Sequence, residues 1–162
     1  MNERPSLVAS AAITVQDAEE AGLVTSLLSI SKTTRAFLSL LLIEIDLHPG
    51  QDQLLHRLVP GQPISVSALA EQLAVRPSTV SKMLDRLIEK QLVNRSSNAS
   101  DARRTMVMLT PAGEAARGDV RKLWDRLETE LGAALPEADR QPLLQALRQI
   151  DGLLTAKLRR LR

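Results

Sequence analysis

Between Arg76 and Arg104 the chain places seven basic side chains, Arg76, Lys82, Arg86, Lys90, Arg95, Arg103 and Arg104, against three acidic ones, Asp85, Glu89 and Asp101. The local balance is +4, whereas the whole 162-residue chain carries only +2. Positive charge concentrated on so short a piece suits contact with a polyanion. The order of side chains adds to this. Ser78, Thr79 and Ser81 are short and polar, Lys82 and Arg86 follow at helical spacing, and Val80, Met83, Leu84, Leu87 and Ile88 fall on the other side of the same helix. A helix that is short-chained at its N-terminal end can sink its backbone into a major groove, where Lys82 and Arg86 reach phosphates or guanine edges. Arg103 and Arg104 come on a polar projection suited to the narrower minor groove. Either feature alone reads equally as a solvated face. Together, after a capped helix and a short turn, they point to double-stranded DNA.

The elements that must position these residues are legible from periodicity. An arm over residues 1–16 precedes a long helix ending near Ile45, with Leu23, Leu27, Ile30, Thr34, Phe37, Leu41 and Ile45 at steps of three and four. Leu28, Leu38 and Leu42 widen this stripe beyond what one partner helix covers. "HPG" at 48–50 breaks it and opens a short second helix over 50–59. Ser65 is a good N-cap for a third helix over 66–73, and Pro77 opens the fourth, which runs to about Lys90. "LVNR" and "TMVML" read as two strands joined by the polar loop "SSNASDAR". Thr110-Pro111 caps a fifth helix, interrupted at Gly132–Pro136, and a final helix follows that starts near Asp139 or kinks early, because Pro142 does not fit deep inside a helix. The predicted fold is mainly α with a small β-hairpin wing. It divides into the arm at 1–16, a helix at 17–46, a winged helix-turn-helix at 47–110 and C-terminal helices at 111–162.

Composition narrows the function classes. Phe37 and Trp124 are the only aromatics, so the core is packed from Leu, Ile, Val and Ala, a helix-favouring set. The absence of cysteine excludes disulfides and thiol redox control. No nucleophile elbow, glycine-rich phosphate loop or HExxH is present, so catalysis is not expected and no cofactor is implied. The continuous apolar run at 38–45 is too short to cross a bilayer, and the expectation is a cytoplasmic protein without membrane contact. His48 and His56, near Glu44, Asp46 and Asp52, read either as a metal site or, more simply, as histidines beside a helix break; no metal is expected.

Residues 64–116 and the upstream "LHPGQDQLLHRL" also carry a resemblance. The Asp101-x-Arg103 pair, the strand after it, and Leu109-Thr110-x-x-Gly113 resemble the wing of MarR-type transcriptional regulators; Leu47, Gln51 and Leu55 resemble that family's second helix. The resemblance implies a homodimer built from the N- and C-terminal helices. Its two winged helices would read an inverted-repeat operator as a ligand-responsive repressor does. Residues and resemblance together give as DNA contacts Arg76, Ser78, Thr79, Ser81, Lys82, Arg86, Arg95, Asp101, Arg103 and Arg104, and the resemblance implies that Arg103 enters the minor groove braced by Asp101; Asp101 reads equally as an Asx-turn residue. It further implies a small amphipathic organic ligand near Phe37, Leu41, Leu54, Leu58 and Trp124, residues that read equally as core. Alternatives are a protein-binding winged helix or a metal-responsive regulator. Arg76 stands where the family places a side-chain cap, Gln91 where it places a helix-ending glycine, and Ala99 where it places a loop proline.

Overall fold

The computed structural model describes residues 22–98 and 101–161, with the side chains of 97, 98 and 101–104 outside that description. The predicted arm at 1–16 and the start of the first helix lie outside the described residues. The elements are α1 (Leu23–Ile43), α2 (Gln51–Arg57), β1 (Ile64–Ser65), α3 (Val66–Gln72), α4 (Pro77–Glu89), β2 (Val93–Asn98), β3 (Asp101–Leu109), α5 (Pro111–Ala133) and α6 (Glu137–Arg160). The chain forms two compact units, one ending at Phe37 and the other running from Leu38 to Arg162.

In the second unit one aliphatic core joins Leu42 and Leu47 with Leu54, Leu55 and Leu58 of α2, Leu69 of α3, and Val80, Leu84 and Leu87 of α4. Val93, Val107 and Leu109 of the sheet and Val120 and Leu123 of α5 complete it. Helix periodicity predicted Leu42 of α1 and Val80, Leu84 and Leu87 of α4, each of which is buried on the apolar side of its helix. The sheet is larger than the expected hairpin. β1 pairs antiparallel with β3, Ile64 opposite Val107, which makes a three-stranded sheet of order β1-β3-β2. Two residues are too few to show alternation, so no strand is legible here in the sequence. The expected loop at 96–103 is shorter too: β2 continues to Asn98 and β3 begins at Asp101, with a register irregularity between Ser97 and Asn98.

Helix ends explain much of the geometry. Ser65 accepts a hydrogen bond from the Ala68 amide at 3.2 Å, and Thr110 accepts one from Gly113 at 3.0 Å, both as expected of N-caps. Three helices end in the same way. Leu47 donates to the Leu42 carbonyl, Val75 to Ala70 and Leu92 to Leu87, each at 2.9–3.0 Å and five residues back. The residue before each donor is left-handed: Asp46 at φ 53°, Ala74 at 52° and Gln91 at 57°. These are Schellman ends without glycine, each costing about 1 kcal/mol of backbone strain. The apolar residue after each strained position, Leu47, Val75 or Leu92, packs on the core, which offsets that cost.

α6 starts at Glu137, earlier than Asp139, and runs on through Pro142. Among its described residues none is buried, and Leu147, Leu153, Leu154 and Leu158 are exposed. α1 is likewise uncovered at Leu23, Leu28, Ile30, Leu40 and Ile43. Taken whole, α1 is long and apolar enough by length and composition to cross a membrane, although it carries Lys32 and Arg35 midway. The 38–45 run understated it because the apolar residues are interleaved with Ser and Thr.

Candidate nucleic-acid interface

α3, a left-handed turn at Ala74, and α4 form a helix-turn-helix. α4 buries Val80, Leu84 and Leu87, and this fixes which way its other side faces. Ser78, Thr79, Lys82 and Arg86 are exposed and Ser81 is half-buried, so the short-chained basic face expected from sequence is presented to solvent. Arg76 is the N-cap at φ −74°, ψ 146° and makes no side-chain cap bond, which leaves the amide end of α4 available to an outside acceptor such as a phosphate. The backbone of Asp101, Arg103 and Arg104 lies in β3, which puts these three residues in the strand and not in the loop expected from sequence; their side chains lie outside the described residues.

Arg95 departs from the simple reading. Its Nη1 donates to Asp85 Oδ1 at 2.8 Å and its Nη2 to the Ser81 carbonyl at 3.1 Å, so the guanidinium is turned onto α4. At the other end of α4, Lys90 Nζ lies 2.7 Å from Asp46 Oδ2 and also donates to the Asp46 carbonyl. The Lys90 hydrogen bond, then its charge, hold the Asp46 carboxyl below its ordinary range. Neither pairing is legible in the sequence, because partners 10 and 44 residues apart leave no local pattern.

The junction of α2 and α5 holds a polar cluster. His56 lies against Trp124, ring centroids 4.6 Å apart and tilted by 40°. His56 Nδ1, Trp124 Nε1 and Arg117 Nε are buried without a hydrogen-bond partner among the described residues. Burial lowers the His56 pKa from 6.5, and Arg117, Arg57 and Arg121 lower it further, with Asp52 opposing. The candidate ligand residues separate. Leu54 and Leu58 are closed inside the core, Leu41 and Trp124 are partly buried against it, and Phe37 is 41% exposed in the other unit. Gln51 of the second-helix motif is buried, its Oε1 accepting from the His48 amide at 2.8 Å. Among the described residues no three of His, Asp and Glu come together as a metal site.

The MarR family model matches residues 47–105, the span from the second-helix motif to the wing. Over that span the chain is similar to the MarR family. A candidate regulatory protein for the hcr operon of Thauera aromatica is 29% identical over 102 residues, 63% of this chain and 61% of that protein, so the chain spans under two thirds of its length. The helix-turn-helix transcriptional regulator YhbI of Bacillus subtilis strain 168 is 29% identical over 130 residues, 78% of this chain and 80% of YhbI. The fold extends beyond the family match: the MepR chain of an S. aureus MepR–DNA complex superposes with a TM-score of 0.76 at 24% identity, covering 83% of this chain and 99% of MepR. The MarR protein from Peptoclostridium difficile DA00132 superposes over 99% of this chain with a TM-score of 0.81 at 14% identity, so the shared fold takes in α5 and α6, although the family match stops within β3.

Proposed function

We propose that this chain is a cytoplasmic, sequence-specific DNA-binding repressor of the MarR type. It acts as a homodimer on an inverted-repeat operator and has no catalytic role. The observation that carries the reading is the exposed face Ser78, Thr79, Lys82 and Arg86, presented on α4 by a helix-turn-helix and followed by a wing whose strand bears Arg103 and Arg104. Short side chains admit the helix to the groove and long cations meet its phosphates. Two such units in a dimer read two half-sites about one helical turn apart.

Dimerisation is supported by the uncovered leucines and isoleucines of α1 and, separately, the uncovered leucines of α6, since exposed apolar faces mark interaction surfaces. A second copy is a more economical partner than lipid for helices carrying Lys32, Arg35, Arg148 and Lys157. Effector response is supported by the α2–α5 cluster. The unpartnered Nδ1, Nε1 and Nε atoms and the three surrounding arginines suit a small aromatic anion, and Trp124, the one tryptophan, reports its arrival by fluorescence.

The test is selection of duplexes from a randomised pool, followed by titration of the enriched duplex against parent and Arg103→Ala. An enriched inverted repeat is expected, with log K falling against log salt at a slope on the order of −7 for about eight phosphates neutralised. Arg103→Ala weakens binding most where flanks are A·T-rich, because narrow minor grooves concentrate negative potential. Unchanged affinity of Arg103→Ala on every flank would remove the wing from the mechanism.

A further inference from the structure

Arg95 is the third residue of β2, and strand alternation puts it on the same face as Val93, which is buried. It lies directly opposite Val107, also buried, so Arg95 continues the inner face of the sheet just past the edge of the core. There its guanidinium meets α4. The two acceptors, Asp85 Oδ1 at 2.8 Å and the Ser81 carbonyl at 3.1 Å, come from residues four apart, one helical turn. Both terminal nitrogens of Arg95 are thus committed to one side of one helix. A planar fork held at two points fixes an angle as well as a distance, which a single lysine contact does not.

Resting on the DNA-binding reading above, we propose that Arg95 is a positioning residue that locks the wing to the recognition helix, with Asp85 as its required partner, and is not itself a phosphate contact. The pair is electrically neutral, so it adds nothing to the field that attracts DNA. What it sets is the separation between the groove-facing side of α4 and the wing strands. A rigid separation matches one spacing of major-groove and minor-groove contacts and rejects others, so the pair acts on sequence discrimination more than on general affinity.

The sign of the Asp85→Ala effect separates the two roles of Arg95. The probes are the duplex enriched by the parent from a randomised pool and a random-sequence duplex of equal length. A strut predicts that Asp85→Ala and Arg95→Ala each weaken the enriched duplex about fivefold, the scale of two exposed ion pairs per dimer. The double variant is then no weaker than either single, Asp85→Asn falls between parent and Asp85→Ala, and the salt slope of Arg95→Ala equals the parent's. On the random duplex Asp85→Ala binds at least as tightly as the parent, since it loses a negative charge. A phosphate contact predicts the reverse. Asp85→Ala then tightens both duplexes by freeing the arginine, and Arg95→Ala reduces the salt slope by about one per half-site; that result overturns the proposal. A parent that enriches no duplex overturns the DNA-binding reading, and the strut with it, whereas an enriching parent with a tightened Asp85→Ala overturns the strut alone.

Discussion

Gly113→Ala should be the most damaging single-methyl change in this protein. A Cβ built at Gly113 meets the Leu92 carbonyl oxygen at 1.8 Å, its carbon at 2.8 Å and Leu109 Cδ2 at 3.1 Å. The first two are backbone atoms, so no rotamer relieves the overlap; the N-terminus of α5 must move away from the end of α4. That carbonyl also accepts the Thr110 amide at 3.1 Å, while the Thr110 hydroxyl donates to the Gln91 carbonyl at 2.7 Å and accepts from Gly113 at 3.0 Å. Displacement therefore breaks a three-bond knot joining the recognition helix, the wing and α5. Overpacking costs about 1–3 kcal/mol, and each lost bond about 1 kcal/mol. Partial relaxation keeps these from adding fully, so the expected loss is roughly 3–5 kcal/mol, or about 10–15 °C in Tm. Urea unfolding at fixed protein concentration measures it. A Gly113→Ala protein within about 1 kcal/mol of the parent would refute the reasoning, because no small adjustment clears a 1.8 Å backbone contact. Thr110→Ala should lose the cap and the hydroxyl's bond to the Gln91 carbonyl but cause no overlap, about 1–2 kcal/mol.

Three further outcomes are expected. Gln91→Gly relieves the left-handed strain at φ 57° and Arg76→Ser supplies the missing cap acceptor, so each should raise stability by about 0.5–1 kcal/mol; a thermal melt showing a loss in either contradicts the assigned helix ends. Lys82→Ala, on the exposed face of α4, should weaken enriched and random duplexes alike and reduce the salt slope by about one per half-site, and a selective loss on the enriched duplex would instead make Lys82 a base contact. His56 has its folded pKa below the ordinary 6.5, so the unfolded chain takes up the proton first as pH falls, and stability contributed by neutral His56 is lost from near pH 7 down to the folded value. Urea midpoints between pH 7.5 and 5.5 should therefore fall less in His56→Gln than in the parent, and parallel curves would place the acid sensitivity elsewhere.

The elements and their apolar sides were readable in the chain alone because they rest on short-range physics. Leu69 and Leu73, or Val80, Leu84 and Leu87, are spaced for one side of a helix, and Ser65 and Thr110 carry the hydroxyl an N-terminus needs. The awkward positions, a helix end at Gln91 and an uncapped start at Arg76, showed only through the resemblance, which marks where a glycine and a side-chain cap are usual. The basic concentration at 76–104 was likewise a property of composition. Tertiary structure decided everything that depends on distant pairs. It turned Arg95 from a cation among cations into a partner of Asp85, tied Lys90 to Asp46, and set His56 against Trp124, 68 positions along the chain. It closed Leu54 and Leu58 inside the core and added β1 to the sheet. It also gave Gly113 its reason, since a motif shows that a glycine is there but only the approach of the Leu92 carbonyl shows that no other side chain has room. Helix periodicity constrains a residue against neighbours three and four away, and contacts across the core become determinate only when those helices have packed.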